Sequence, residues 1–170
     1  CISSAGCGAK RERAELIKLA REIEASKPEG SEILRRFNNM RETVSPDKPQ
    51  EMASQLAQLV RDIDKLVAPV QNMRPKSKEA AMLREEYLAM WRNLQDGMKL
   101  ILQVMATGDP KLMATLEKRV LSKDAAFQAA AQKFENDYDT IMRRHNITRQ
   151  DLGISPVQPV STSEKTISSP

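Results

Sequence analysis

Aromatic residues, glycine, histidine and cysteine are all scarce in this chain. Aromatics make up 4% of its 170 residues, and there are six glycines, two cysteines and one histidine. Each shortage removes a class of chemistry. Without glycine-rich stretches there is no loop to cradle phosphates. A single histidine cannot supply the paired Glu-x-x-His motifs of di-iron bundles, and no Cys-x-x-Cys-His run exists to attach haem c. No Gly-x-Ser-x-Gly elbow occurs, and neither cysteine has a histidine near it in sequence, so nucleophilic catalysis has no recognisable machinery. The nine methionines are spread at core spacing rather than in close Met-x-Met clusters, so they read as adaptable core filler and not as a copper site. No run of about 18 apolar residues is present to span a membrane as a helix. Catalysis, cofactor and metal are therefore not expected.

What is abundant is Ala, Leu, Glu, Lys, Arg, Gln and Met, the residues that favour helices. Clusters of β-branched residues alternating with polar ones, as a strand requires, are missing. The stretch Ser77–Thr107 organises the rest. Tyr87, Trp91, Leu94, Met98, Ile101 and Met105 recur at steps of four and three, which places one apolar seam on a single helix face. Met82, Leu83, Leu88, Met90, Leu100 and Leu102 widen that seam, as in a helix with neighbours on more than one side. Such a helix is ~45 Å long.

Around it the pattern predicts an all-α, up-down four-helix-type bundle with one extra short helix. A first helix over Lys10–Ser26 carries Leu16, Leu19, Ala20 and Ile23 on one face, and Lys27-Pro28-Glu29-Gly30 reads as its end. The short helix follows from Ser31 to about Val44, with Ile33, Leu34, Phe37 and Met40 facing in. A long helix from Pro49 carries Met52, Leu56, Leu59, Val60, Ile63, Val67 and Val70, with Pro69 placed to kink or fray its last turn. Gly108 stops the organising helix. Asp109 and Pro110 are suited to cap and start the last one, which runs to about His145. Its seam is Met113, Leu116, Val120, Phe127, Ala131, Phe134, Tyr138 and Ile141, with Asp124 falling on it as a seam rotation or a polar register device.

The two ends lack helical periodicity. Residues 1–9 read as a tether, 10–152 as the helical domain and 153–170 as a flexible or partner-bound tail in which Ile154, Val157 and Val160 are candidate anchors for a partner. Cys1-Ile2-Ser3-Ser4-Ala5-Gly6 resembles the mature N-terminus of a bacterial lipoprotein. That resemblance implies lipid attachment at Cys1, tethering to a membrane and, with Ile2 rather than aspartate after the cysteine, delivery to the outer membrane. The protein would then face the periplasm or the cell surface. Cys7 has no evident partner if Cys1 carries lipid, and is read as a small residue of the tether.

His145 continues the last seam and reads as a helix C-terminal residue near the final carbonyls, with a haem- or metal-ligand role as the sharper alternative. The basic clusters Lys10-Arg11-Arg13, Arg35-Arg36 with Arg41, Arg74-Lys76-Lys78 and Arg143-Arg144-Arg149 sit near helix ends, in a chain of net charge +4. Few aromatics are free to stack bases beside them, so nucleic acid is not expected as a partner. The function these features predict is a membrane-anchored accessory or scaffold subunit of a cell-envelope complex that acts by binding another protein. The alternatives are a soluble module that binds protein or nucleic acid, and a haem- or metal-binding bundle. The expected core is Tyr87, Trp91, Leu94, Met98, Ile101, Phe127, Phe134 and Tyr138.

Overall fold

Four helices follow one another in the computed structural model: α1 Ser4–Thr43, α2 Pro49–Asn72, α3 Lys78–Ala106 and α4 Pro110–Arg144. The structure describes the backbone of residues 4–43, 48–107 and 109–154, and within the first of these segments the side chains of 8–40. The chain is all-α, and no strand occurs among the described residues.

Successive helices run antiparallel. Arg36 of α1 meets Asp62 of α2 at 2.8 Å, Gln95 of α3 reaches the Val60 carbonyl of α2, and Lys123 of α4 pairs with Asp96 of α3 at 3.0 Å. The core between them is aliphatic. Leu16, Leu19, Ile23, Ile33, Leu56, Leu59, Ile63, Leu83, Leu88 and Met98 are fully buried. Gln95 is the one buried polar side chain among the described residues. It is satisfied on both sides, donating to Val60 O (3.1 Å) and Asp64 Oδ1 (2.7 Å) and accepting from Lys99 Nζ at 3.1 Å. A buried amide with all its partners pins α2 against α3 in one register.

The chief departure from the sequence reading is α1. It is a single 40-residue helix that runs through Pro28 and Gly30, so there is no separate short helix. It also opens at Ser4, inside the stretch read as tether. Pro28 lies on the exposed face, where water can meet the Glu24 carbonyl that the proline leaves without a donor. The apolar phase is unbroken across it: positions 16, 19, 23, 26, 30, 33, 37 and 40 all face inward, and packing of that continuous face outweighs the lost hydrogen bond. Pro69 is likewise carried inside α2.

The helix ends follow their local chemistry. Asp109 Oδ1 accepts from Lys111 N at 2.9 Å, and Pro110 takes the first helical position of α4. Ser77 stands at the start of α3 without a side-chain cap. Just before the helix, Glu15 Oε2 of α1 accepts from Lys76 N and Ser77 N at 2.8 and 2.7 Å and ties this turn to α1. Those amides hold the Glu15 carboxyl below its ordinary pKa. α4 ends in a Schellman motif, with Ile147 N donating to Met142 O (2.9 Å) and Asn146 N to Arg143 O (3.1 Å). Asn146 supplies the left-handed residue at φ 48°, and Ile147 and Met142 are both buried.

Candidate functional site

α1 packs on α2 and α3, and α4 packs on α3, but α1 and α4 make little direct contact. The backbones of α1 and α4 therefore stand apart along one side, with α3 beneath the gap and side chains filling much of it. At one end the gap is bridged by polar side chains. Arg13 donates to the carbonyls of His145 and Asn146 and pairs with Asp151 Oδ1 at 2.9 Å. Arg21 donates twice to the Asp151 carbonyl, at 3.0 and 2.7 Å. Asp151 also accepts from the Thr148 amide and hydroxyl. These hydrogen bonds, with Arg13 beside it, lower the Asp151 pKa to about 2.

Beyond this clamp lies a groove of about 460 Å³, lined by residues of α1, α3 and α4. Five of the six aromatic residues line it: Tyr87 and Trp91 from α3, and Phe127, Phe134 and Tyr138 from α4. Leu34, Met90 and Ala131 complete its apolar wall. The rings interlock. Phe134 lies 5.7 Å from Tyr87, edge to face, and 5.6 Å from Tyr138, while Tyr87 meets Trp91 edge-on at 6.4 Å.

Polar groups sit where the rings meet the rim. The Tyr87 hydroxyl and Ser26 Oγ are 2.7 Å apart, and Ser26 Oγ is also 2.7 Å from the Ile23 carbonyl. Tyr138 donates to Glu24 Oε1 at 2.8 Å. Lys27 bridges to the same carboxylate at 2.5 Å and lies 5.4 Å from the centre of the Tyr138 ring. Both phenols are raised above the ordinary tyrosine pKa, first by burial; for Tyr138 the hydrogen bond to Glu24 adds to it, then the charges of Glu24 and Asp139, and for Tyr87 the charge of Glu29. Exposed Glu135 and Asp139 line the α4 side of the rim.

Trp91 reaches α1 at Gly30. A β-carbon at Gly30 would stand 2.9 Å from Trp91 Cζ2 and 3.1 Å from Cη2. The glycine read as a helix end is instead the place where α1 lacks a side chain so that the indole can fit. The sequence places the aromatics on helix seams but does not show that five of them gather beneath one groove. It also does not mark Ser26, Lys27 and Gly30 as groove residues. The unbroken α1 phase is the available signal for these three.

The expected core residues are buried with one exception: Tyr87, Trp91, Leu94, Met98, Phe127, Phe134 and Tyr138 are inside, whereas Ile101 is half-buried. Leu94, Ile101 and Phe127 border a second, smaller cavity of about 70 Å³ near Phe37. Asp124 is exposed at its edge, and Lys123, paired to Asp96, takes the seam position instead. His145 caps the end of α4 and its Nε2 lies 2.5 Å from Glu79 Oε2 of α3; Arg144 pairs with the same carboxylate. Among the described residues no three His, Cys, Asp or Glu side chains converge as a metal site would require, and no helix is long and apolar enough to cross a membrane.

Several members of the basic clusters have partners within the protein: Arg11 with Glu15, Arg13 with Asp151, Arg35 with Glu32, Arg36 with Asp62 and Arg144 with Glu79. Of the proposed tail anchors, Ile154 is half-buried beyond the clamp, its amide bonded to Arg149 O at 3.0 Å. Cys1, Val157 and Val160 lie outside the described residues, as do the side chains of Cys7 and Arg41. Compared with known proteins, the chain matches no family model, no curated protein and no solved structure. Fold and site together define a helical bundle with a groove floored by buried aromatic rings.

Proposed function

We propose that this protein is a membrane-tethered helical-bundle subunit of a cell-envelope complex, and that it works by binding another protein in the groove between α1 and α4. The observation that carries the binding part is the groove itself. Five rings, each largely buried, gather beneath one cleft whose wall also holds half-buried Leu34, Met90 and Ala131, with hydroxyls and carboxylates at its edge. Concave apolar surface with a few oriented polar groups is the usual form of a binding site, and aromatic side chains are the commonest anchors of protein interfaces. The tether rests on the likeness of residues 1–6 to mature lipoproteins. Two or three acyl chains on Cys1 give stable anchoring where one is marginal. Ile154, Val157 and Val160 offer a second contact for the same partner.

The experiment is site-specific photo-crosslinking in the native host. A crosslinker at Met90, in the groove, should capture a discrete partner, and one at exposed Lys65 on α2 should not. Equal products from both positions, or none from Met90, would remove the groove from the account. For the tether, Cys1→Ser should move the protein from the membrane to the soluble fraction or block its maturation. Unchanged fractionation removes the anchor and leaves the groove reading standing.

A further inference from the structure

Resting on the groove reading above, we propose that the groove receives a cationic amphipathic helix of the partner about three turns long. Its apolar face would lie against half-buried Leu34, Met90 and Ala131, above the buried rings, and its lysine or arginine residues would meet Glu135 and Asp139.

Three observations point to this occupant. The first is length. The α1 wall from Ile23 to Leu34 and the α4 wall from Phe127 to Asp139 each correspond to ~16–18 Å of helix, or three turns. The second is backbone chemistry. The groove walls are side chains of helices and present no sheet edge. An extended segment would leave its amides and carbonyls unpaired there, while a helix satisfies its own. The third is charge. The chain as a whole is +4, yet the free charges at this rim are negative. Among the described residues Glu135 and Asp139 have no ionic partner. The one lysine of the lining, Lys27, is held by Glu24. Lys27 also shows an ammonium within cation–π range of a groove ring, 5.4 Å from the centre of Tyr138.

The probes are two synthetic helical peptides of about four turns, one of leucine and lysine and the other of leucine and glutamate in the same pattern. Trp91, the only tryptophan, reports from the groove. With the full chain, the Leu–Lys peptide should perturb Trp91 emission at least about tenfold more tightly than the Leu–Glu peptide, and the preference should shrink as salt is added. The double variant Glu135→Lys, Asp139→Lys, both at exposed positions, should invert the preference while circular dichroism stays unchanged. Filling the groove from either wall, with Ala131→Phe or Ser31→Phe, should abolish binding of both peptides.

Equal binding of the two peptides, lost in the filled variants, overturns the cationic-helix inference and leaves the groove as a protein-binding surface. If neither peptide binds while the Met90 crosslinker still captures a partner, the occupant is not a helix of this kind. If both experiments fail, the groove reading falls too. A chain cut after Ile154 that alters Trp91 emission identifies the protein's own tail as the occupant. Self-association that Ala131→Phe removes identifies a second copy. Either result overturns the inference.

Discussion

Gly30 of α1 and Trp91 of α3 are matched in shape: a β-carbon on the first would stand 2.9 Å from Cζ2 of the second. Glycine to alanine in a helix interior ordinarily stabilises by about 0.5–1 kcal/mol. Here the rigid indole must move, so Gly30→Ala is expected to destabilise by about 1–3 kcal/mol. Urea titration decides the sign. An increase in the unfolding midpoint at unchanged slope would show that the indole yields freely.

Trp91 is 5% exposed although it lines the groove. Trp91→Ala should therefore cost about 3–5 kcal/mol, and Leu94→Ala about 2–5 kcal/mol. Native emission should be blue-shifted and move to the red on unfolding. An emission maximum typical of water-exposed indole in the folded protein would contradict this packing.

Tyr138 is held protonated by burial and by Glu24, to which it donates. Its folded pKa is raised above the ordinary 10.0. The associated stability is complete below pH 10 and is lost as pH rises beyond it. Ultraviolet titration should show phenol ionisation in the folded protein only above the free-tyrosine range, coinciding with unfolding. Tyr138→Phe should cost about 1 kcal/mol at neutral pH, because Glu24 keeps Lys27 as a partner, and should lessen the alkaline loss.

Asp151 titrates at about 2 in the folded protein, against an ordinary 3.8. A depressed folded pKa contributes stability above 3.8 that disappears as pH falls toward 2. Asp151→Asn should lower the thermal midpoint at pH 7 and flatten its fall between about pH 5 and 2. Hydrogen exchange should place the loosening in residues 145–154 and the facing turns of α1 around Arg13 and Arg21. Parallel pH profiles for variant and wild type would remove the clamp from the account of acid stability.

The sequence by itself determined that the chain is all-α, because helix-forming composition and steps of three and four act locally, residue by residue. It determined the course of α3, the Asp109–Pro110 start of α4, and the burial of Trp91 and Tyr138. It also carried the continuity of α1, since positions 16 to 40 keep one phase, but Pro28 and Gly30 as local stop signals point the other way. Only tertiary packing decides between them. An isolated helix would break there, and the continuous apolar face against α2 and α3 holds it together. The same holds for the groove. Periodicity says which face of a helix is apolar, not whether two such faces meet or stand apart. The separation of α1 from α4 depends on Trp91 filling the space beside Gly30 and on Arg13 and Arg21 gripping the segment after α4, contacts between residues up to 133 positions apart. Such pairings have no local signature, so the seam residues were legible one helix at a time and the cleft they share was not.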